Sequence, residues 1–443
     1  MLEKDWKKYF NAVKTTRTLI PTGKVTKITG IIAEGYCAGT GVGSTCSIEN
    51  TEGEQIQAEV VGFNDRKIVL MPYGETRNIS PGCKISLLED RPYIPVGEQY
   101  LGRVVGGMGE PLDGRGPIQA DDIYPLYGNV VNPLNRQIIT EPVDVGIGVI
   151  NTMITIGKGQ RIAIMAGSGV GKSILMGMIA RHTSADVSII CLVGERGREV
   201  KDFVEQILGK EGREKSILVA ATSDTSPLVR IRSTYLATTL AEYFRDQGKD
   251  VLLIMDSITR FAMSSRDVGL AAGEPPTLRG YTPSFFIQIP KLLERAGNVE
   301  GKGSITGIYT VLVEGDDIND PVGDTVRSIV DGHIVLSRDL ANMGHYPAID
   351  VLGSVSRVMR DVIDSEHYDT AQRLIEVLAI YRKSEDIINI GAYVDGSDPK
   401  IDYAKSMIGK INDFLRQGVE EKVSMNVGLN QLKLLFLNQP NMR

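Results

Sequence analysis

The run Ala166-Gly167-Ser168-Gly169-Val170-Gly171-Lys172-Ser173 brings together the residue types that bind a polyphosphate. Glycines let successive backbone N–H groups point inward at the phosphates, and a lysine reaches the β- and γ-phosphates. The serine after it supplies a hydroxyl for Mg2+. Ala166 is irregular, standing where the first glycine of this pattern usually sits. Two carboxylates close other apolar runs. Asp256 ends Val251-Leu252-Leu253-Ile254-Met255-Asp256, where a Walker-B aspartate holds Mg2+ through its water shell. Glu195 follows the run that ends at Val193-Gly194, and a carboxylate there can orient and polarise an attacking water. Arg196 and Arg260 are the candidates to hold that carboxylate in place. From spacing alone, a solvated charged loop reads the same around Glu195. The chemistry expected is binding and hydrolysis of a nucleoside triphosphate.

These side chains need a scaffold that delivers them to one edge. Arg161-Ile162-Ala163-Ile164-Met165 reads as a strand, and Ile174 opens a helical stretch whose N-terminus adds partial positive charge at the phosphates. Further strand candidates are 187–193, 216–221, 251–255, 305–313 and 333–337. Continuously apolar strands alternating with helices imply an α/β domain with a parallel, helix-covered sheet, expected over 94–360. Such sheets bind ligands at the carboxyl ends of their strands. Before it, 25–93 reads as a small β-barrel, with runs such as Val25–Ile32 and Gln57–Phe63 broken by turn residues. After it, 361–443 reads helical. Residues 1–24 place Leu2, Trp6, Tyr9, Phe10 and Val13 at helical spacing among lysines. That short amphipathic helix would dock on its own chain, on a partner protein or on an anionic membrane surface.

Bulk properties narrow the class. At 443 residues the chain exceeds what one core supports, so several domains are expected. The 49 basic and 55 acidic residues give a net charge of −6, so no global basic field attracts nucleic acid. Cys37, Cys46, Cys83 and Cys191 form no C-x-x-C pair, which suits free thiols in a reducing cytosol. His182, His333, His345 and His367 lack metal-ligand spacing, and no run of about 18 apolar residues occurs to span a membrane.

Several segments carry a resemblance. Gly194-Glu195-Arg196, Asp256-Ser257-Ile258-Thr259-Arg260 and Ser354-Val355-Ser356-Arg357 resemble the catalytic subunits of rotary ATP synthases. Gly273–Ser284, Leu292–Gly297, Gly391-Ala392-Tyr393 and Gly396–Asp402 narrow the resemblance to the protein-export ATPases of type III secretion, most closely the flagellar branch. It runs from about residue 25 to the C-terminus. It implies a RecA-like P-loop ATPase core between an N-terminal β-barrel and a helical C-terminal domain. It implies that Ala166, Gly167, Ser168, Gly169, Val170, Gly171, Lys172, Ser173 and Ile174 hold ATP, with Mg2+ on Ser173 and Asp256. Glu195 matches the catalytic glutamate, Tyr346 the aromatic that packs on adenine, and Arg357 the arginine that reaches a neighbouring subunit's nucleotide.

The family's partners would then be further copies in a homohexamer and a regulatory, stator-like protein at the N-terminal helix. A central coiled-coil stalk, export-gate membrane proteins and chaperone–substrate complexes complete the set. No nucleic acid is expected, and the location would be cytoplasmic, peripheral at the inner face of the membrane. An injectisome ATPase shares these motifs. A rotary synthase subunit would carry an acidic lever, whereas Tyr381-Arg382-Lys383-Ser384-Glu385-Asp386 leads here into Gly391-Ala392-Tyr393. An RNA translocase would want clustered cations beside Tyr36, Phe63, Tyr73 and Tyr93. A non-catalytic ring subunit is at odds with the intact Lys172, Glu195, Asp256 and Arg357.

Overall fold

The computed structural model describes residues 19–313 and 320–437, so the amphipathic run from Leu2 to Val13 lies outside the described residues. The described chain divides into two compact units: residues up to Tyr93 with Ser226–Leu228 and Asp267–Pro275, and the remainder.

The first unit is a closed barrel of six antiparallel strands, β1 (Thr22–Thr29), β2 (Ile32–Cys37), β3 (Thr45–Glu49), β4 (Gln55–Asn64), β5 (Lys67–Pro72) and β6 (Lys84–Glu89). They pair in the order β1-β2-β5-β4-β3-β6. Ala33, Ile48, Ala58, Val60, Leu70 and Ile85 alternate inward and fill the interior. The run Val25–Ile32, which reads as one strand, instead turns at Gly30-Ile31, where Gly30 takes φ 59°. Closure leaves the barrel no open edge.

The second unit is built on a sheet of strands β7 (Val104–Gly106), β8 (Arg161–Ala166), β9 (Val187–Glu195), β10 (Ser216–Thr222), β11 (Asp250–Asp256), β12 (Ser304–Leu312), β13 (Gly332–Leu336) and β14 (Ile349–Ser356). They lie in the order β14-β13-β8-β12-β11-β9-β10-β7. All six runs read as strands in this region are strands, and they pair in parallel. Their burial explains this: β9 reads buried at every position but its last, so both faces are covered. Two edge strands fall outside the sequence reading. β7 is three residues long, and β14 runs antiparallel to β13.

The C-terminal region is helical as expected, with helices Ser365–Asn389, Pro399–Leu415 and Met425–Phe436. Asp364 and Asp398 accept from the backbone N–H groups of His367 and Lys400, capping the first two helices. Leu374, Val377, Met407, Ile411 and Leu432 belong to the same apolar cluster as Ile162, Ile164 and Ile190 of the sheet. These helices therefore share the core of the parallel sheet. The motif residues Tyr393 and Asp402 tie the turn between the first two: the Tyr393 hydroxyl donates to Asp402 Oδ1 (2.9 Å), and Gly396 N donates to Asp402 Oδ2 (2.9 Å). The same turn leaves Ile390 78 % and Val394 72 % exposed.

Leu292–Gly297 is likewise structural. Arg295 is 2 % exposed; it donates to Glu242 (2.6 and 2.8 Å), Thr239 Oγ1 (2.8 Å) and the Leu126 carbonyl (2.9 Å). Arg295→Ala strands the Glu242 carboxylate without its partner. We expect it to lower unfolding free energy by about 3–5 kcal/mol in chemical denaturation, whereas a surface pair would cost under about 1 kcal/mol.

Candidate nucleotide site

The β8 strand ends at Ala166, flanked by Leu312 of β12 and Leu336 of β13. Ala166 is buried, and its carbonyl accepts from Val313 N (3.0 Å). The irregular alanine is thus a strand residue packed in the core, and a glycine there would only remove a methyl group from it. The loop proper begins at Gly167. Gly169 and Gly171 take φ 80° and 87°, left-handed values that a side chain would strain. Gly171 caps the helix Lys172–His182 with no side-chain cap, leaving the first N–H groups free to face a ligand. Gly167, Ser168, Lys172, Ser173 and Ile174 line a cavity of about 880 Å3, while Val170 is buried beneath it.

Strand order delivers the acids to that cavity. Asp256, at the tip of β11, accepts on Oδ1 from Lys172 Nζ and from Thr310 Oγ1 (2.6 Å). Glu195, at the tip of β9, stands 3.9 Å from Lys172 Nζ. Partial burial, a hydrogen bond shared with Glu199 and the charge of Asp256 push the Glu195 carboxyl up to about 7, with Lys172 opposing them. Glu199 moves the other way: the hydrogen bond from Glu195 and then the Arg196 N–H hold its carboxyl below the usual range. Glu199 is the third residue of the helix Gly197–Asp202, so it reaches back to its N-cap as in a capping box.

The two arginines stand apart from Glu195. Arg196 is exposed at the cavity rim. Arg260 lies 3.3 Å from where a Cβ on Gly194 would sit, with a buried Nε that has no partner. Neither makes a hydrogen bond or ion pair to Glu195; Glu199 and Lys172 are its partners. Glu199, Thr310, Ser223 and Arg338 complete the surroundings and escaped the sequence reading. For Glu199 a signal existed, an acidic residue three places into a helix.

Tyr346 lies across the loop, its ring 3.4 Å from where a Cβ on Gly171 would sit, and is 44 % exposed. The Gln417 N–H donates to its carbonyl (3.0 Å). Arg357 is elsewhere. It follows Ser356, which pairs with Gly332 at the start of β13, and its N–H donates to the Asp331 carbonyl (2.9 Å). The loop lies at the other end of the parallel strands, so the two ends are separated by roughly 17 Å along a six-residue strand. Arg357 is exposed there, outside the cavity of its own chain.

No cluster of three His, Cys, Asp or Glu able to hold a metal occurs among the described residues. The Ser173 hydroxyl and the Asp256 carboxylate suit Mg2+, which keeps its waters and binds through one or two protein oxygens and phosphates.

The chain matches the ATP synthase alpha/beta family nucleotide-binding domain over residues 146–356 and its beta-barrel domain over 38–88. It matches the T3SS EscN ATPase C-terminal domain over 363–434. It is 48 % identical to the flagellum-specific ATP synthase of Pseudomonas aeruginosa over 421 residues, covering 94 % of this chain and 93 % of the relative. It is 48 % identical to the same enzyme of Bacillus subtilis, covering 94 % and 95 %. The type 3 secretion system ATPase of Xanthomonas euvesicatoria is 45 % identical, covering 93 % of each chain. The structure of the assembled ATPase EscN from enteropathogenic E. coli superposes with a TM-score of 0.89 at 43 % identity, covering 93 % of this chain and 99 % of that one. The P-loop, the strand-tip acids and the order of barrel, ATPase core and C-terminal helices together carry one conclusion: the chain belongs to the flagellum-specific ATP synthase and type III secretion ATPase family, and is an ATP-hydrolysing enzyme of type III protein export.

Proposed function

We propose that the chain hydrolyses Mg2+-ATP as a homohexameric ring and energises flagellar protein export, releasing or unfolding chaperone-bound substrates at a membrane gate. The flagellar assignment is supported by flagellum-specific relatives at 43–48 % identity, several of them above the 45 % of the secretion relative from Xanthomonas euvesicatoria. Within a subunit, the loop amides and Lys172 bind the β- and γ-phosphates, and Glu195 takes the proton of the attacking water. Ser173 and Asp256 would hold Mg2+, which neutralises charge building on the phosphates. Tyr346 offers a flat amphipathic ring to adenine, and Arg260 and Arg196 border the γ-phosphate side.

The observation that carries the ring is the position of Arg357, exposed at the sheet end opposite its own P-loop. An arginine there serves a neighbour's nucleotide, so each subunit gives a finger to one site and a P-loop to another. A central stalk partner is supported by the solved complex of EscN with its central stalk EscO. A stator-like partner at residues 1–24 and contacts with the gate and chaperones complete the reading. No helix of the described residues is long and apolar enough to cross a membrane, and the ring would work in the cytoplasm, peripheral to the inner membrane face. Diluting the purified chain tests this: specific ATPase activity should fall steeply as the sedimenting species shifts from ring to monomer. Full specific activity in a monomeric fraction would sink the ring.

A further inference from the structure

Two residues beyond the level of Ala166, the chain leaving β13 presents Arg338. The β8–β13 register sets Ala166 beside Leu336, and Ser337 then caps the short helix Arg338–Asn342, its hydroxyl accepting from Leu340 N (3.3 Å). Arg338 lines the same cavity as Gly167, Gly169, Lys172 and Ile174. Its side chain is exposed and makes no ion pair or hydrogen bond among the described residues. The other cations there have settled positions. Lys172 is paired with Asp256 and Glu195, Arg260 packs on Gly194, and Arg196 feels the Glu199 carboxylate.

The strand-tip carboxylates gather on one side of the loop, with Arg196 and Arg260 beside them. Asp256 and Glu195 come from β11 and β9, on one side of β8, whereas Arg338 comes from β13, on the other. Tyr346 belongs to the same β13–β14 connection as Arg338 and lies over Gly171. The acidic side therefore faces the metal and the attacking water, and the β13 side faces the nucleoside. Lys172 serves the outer phosphates, which leaves the α-phosphate as the charge without a side-chain counter-ion. An arginine fork suits a phosphate bidentately.

We propose that Arg338 binds the α-phosphate and sets affinity for ATP and ADP alike. The proposal rests on the reading of 166–174 as the nucleotide loop. The α-phosphate carries the same charge before, during and after hydrolysis, so this contact stabilises ground and transition states equally. Its loss therefore shows in Kd and KM rather than in kcat.

The test is equilibrium binding of ATP and ADP to the full chain, with steady-state kinetics on the same samples. R338Q should weaken both nucleotides by about 10–100-fold, the range for a lost hydrogen bond to a charged group. R338K, which keeps charge without the fork, should weaken them less. Raising the salt should shrink the difference between R338Q and the parent, as it does for an ion pair. Unchanged affinity, a loss for ATP only, or a fall in kcat at constant KM overturns the proposal. A salt-independent loss overturns it too, pointing to a ribose or base contact instead. K172A separates the two failures. If it still binds nucleotide, the loop reading is wrong; if it loses binding while R338Q does not, only the role of Arg338 is.

Discussion

Glu195→Gln should bind ATP as the parent does and lose about 10²–10⁴-fold in kcat, the usual contribution of a positioned general base. The substitution keeps the shape of the side chain and removes its capacity to take a proton. The pH profile of the parent carries the same assignment. In the nucleotide-free site the Glu195 carboxyl sits up to about 7, held there by burial, by the hydrogen bond with Glu199 and by Asp256. A raised carboxyl is protonated below that pH and is an available base above it. Because kcat/KM reports groups of the free enzyme, it should rise as pH increases through about 7. It should fall again as pH drops through the same window, and Glu195→Gln should lack this limb. Substantial turnover by the variant, or a variant that keeps the limb, removes Glu195 from the role.

Arg357→Ala should lower kcat by about 10³–10⁵-fold, as removing an arginine finger does, with nucleotide binding left in place. Lys172→Ala should be inactive for the opposite reason, because its own P-loop fails. Mixing the two dead variants distinguishes trans from cis action. An Arg357→Ala subunit brings an intact loop, and a neighbouring Lys172→Ala subunit brings an intact finger. In a randomly assembled equimolar ring, half of the loops and half of the fingers are intact, so about a quarter of the sites regain both. Recovery toward that level requires Arg357 to act across the interface. Absence of any recovery, with mixed rings demonstrated by crosslinking, would falsify the assignment. The position of Arg357 near Asp331, at the far end of β13 from the loop, is why recovery is expected.

Much of this layout is legible in one chain because the strongest signals are local. Strands such as Val187–Glu195 lie under helices on both faces, so they are written as unbroken apolar runs. A carboxylate that ends such a run stands at a strand tip, and Glu195 and Asp256 do. The antiparallel β14 alternates buried and partly buried residues over its first half, and exposed and partly buried residues over its second. Its residues Ser354–Ser356 therefore read as a motif before they read as a strand. Motif content also misleads about role. Arg295 and Tyr393 sit in segments that carry the family resemblance, yet one holds a buried ion pair and the other ties a helix–helix turn.

From the sequence alone came the phosphate loop, the strand-tip acids and the succession of barrel, α/β core and helices, since each depends on residues close in the chain. What only the tertiary structure decided is who meets whom. The partner of Glu195 is Glu199 and Lys172, with Arg196 and Arg260 standing apart, because the helix Gly197–Asp202 turns its third residue back toward the strand tip. Arg338 reaches the loop because β13 pairs with β8 across some 170 residues of intervening chain, far beyond the reach of any helix or strand period. Arg357 is kept from its own loop because an antiparallel strand returns to the opposite end of the sheet. Periodicity records which face of an element is buried; it holds no record of which other element covers that face.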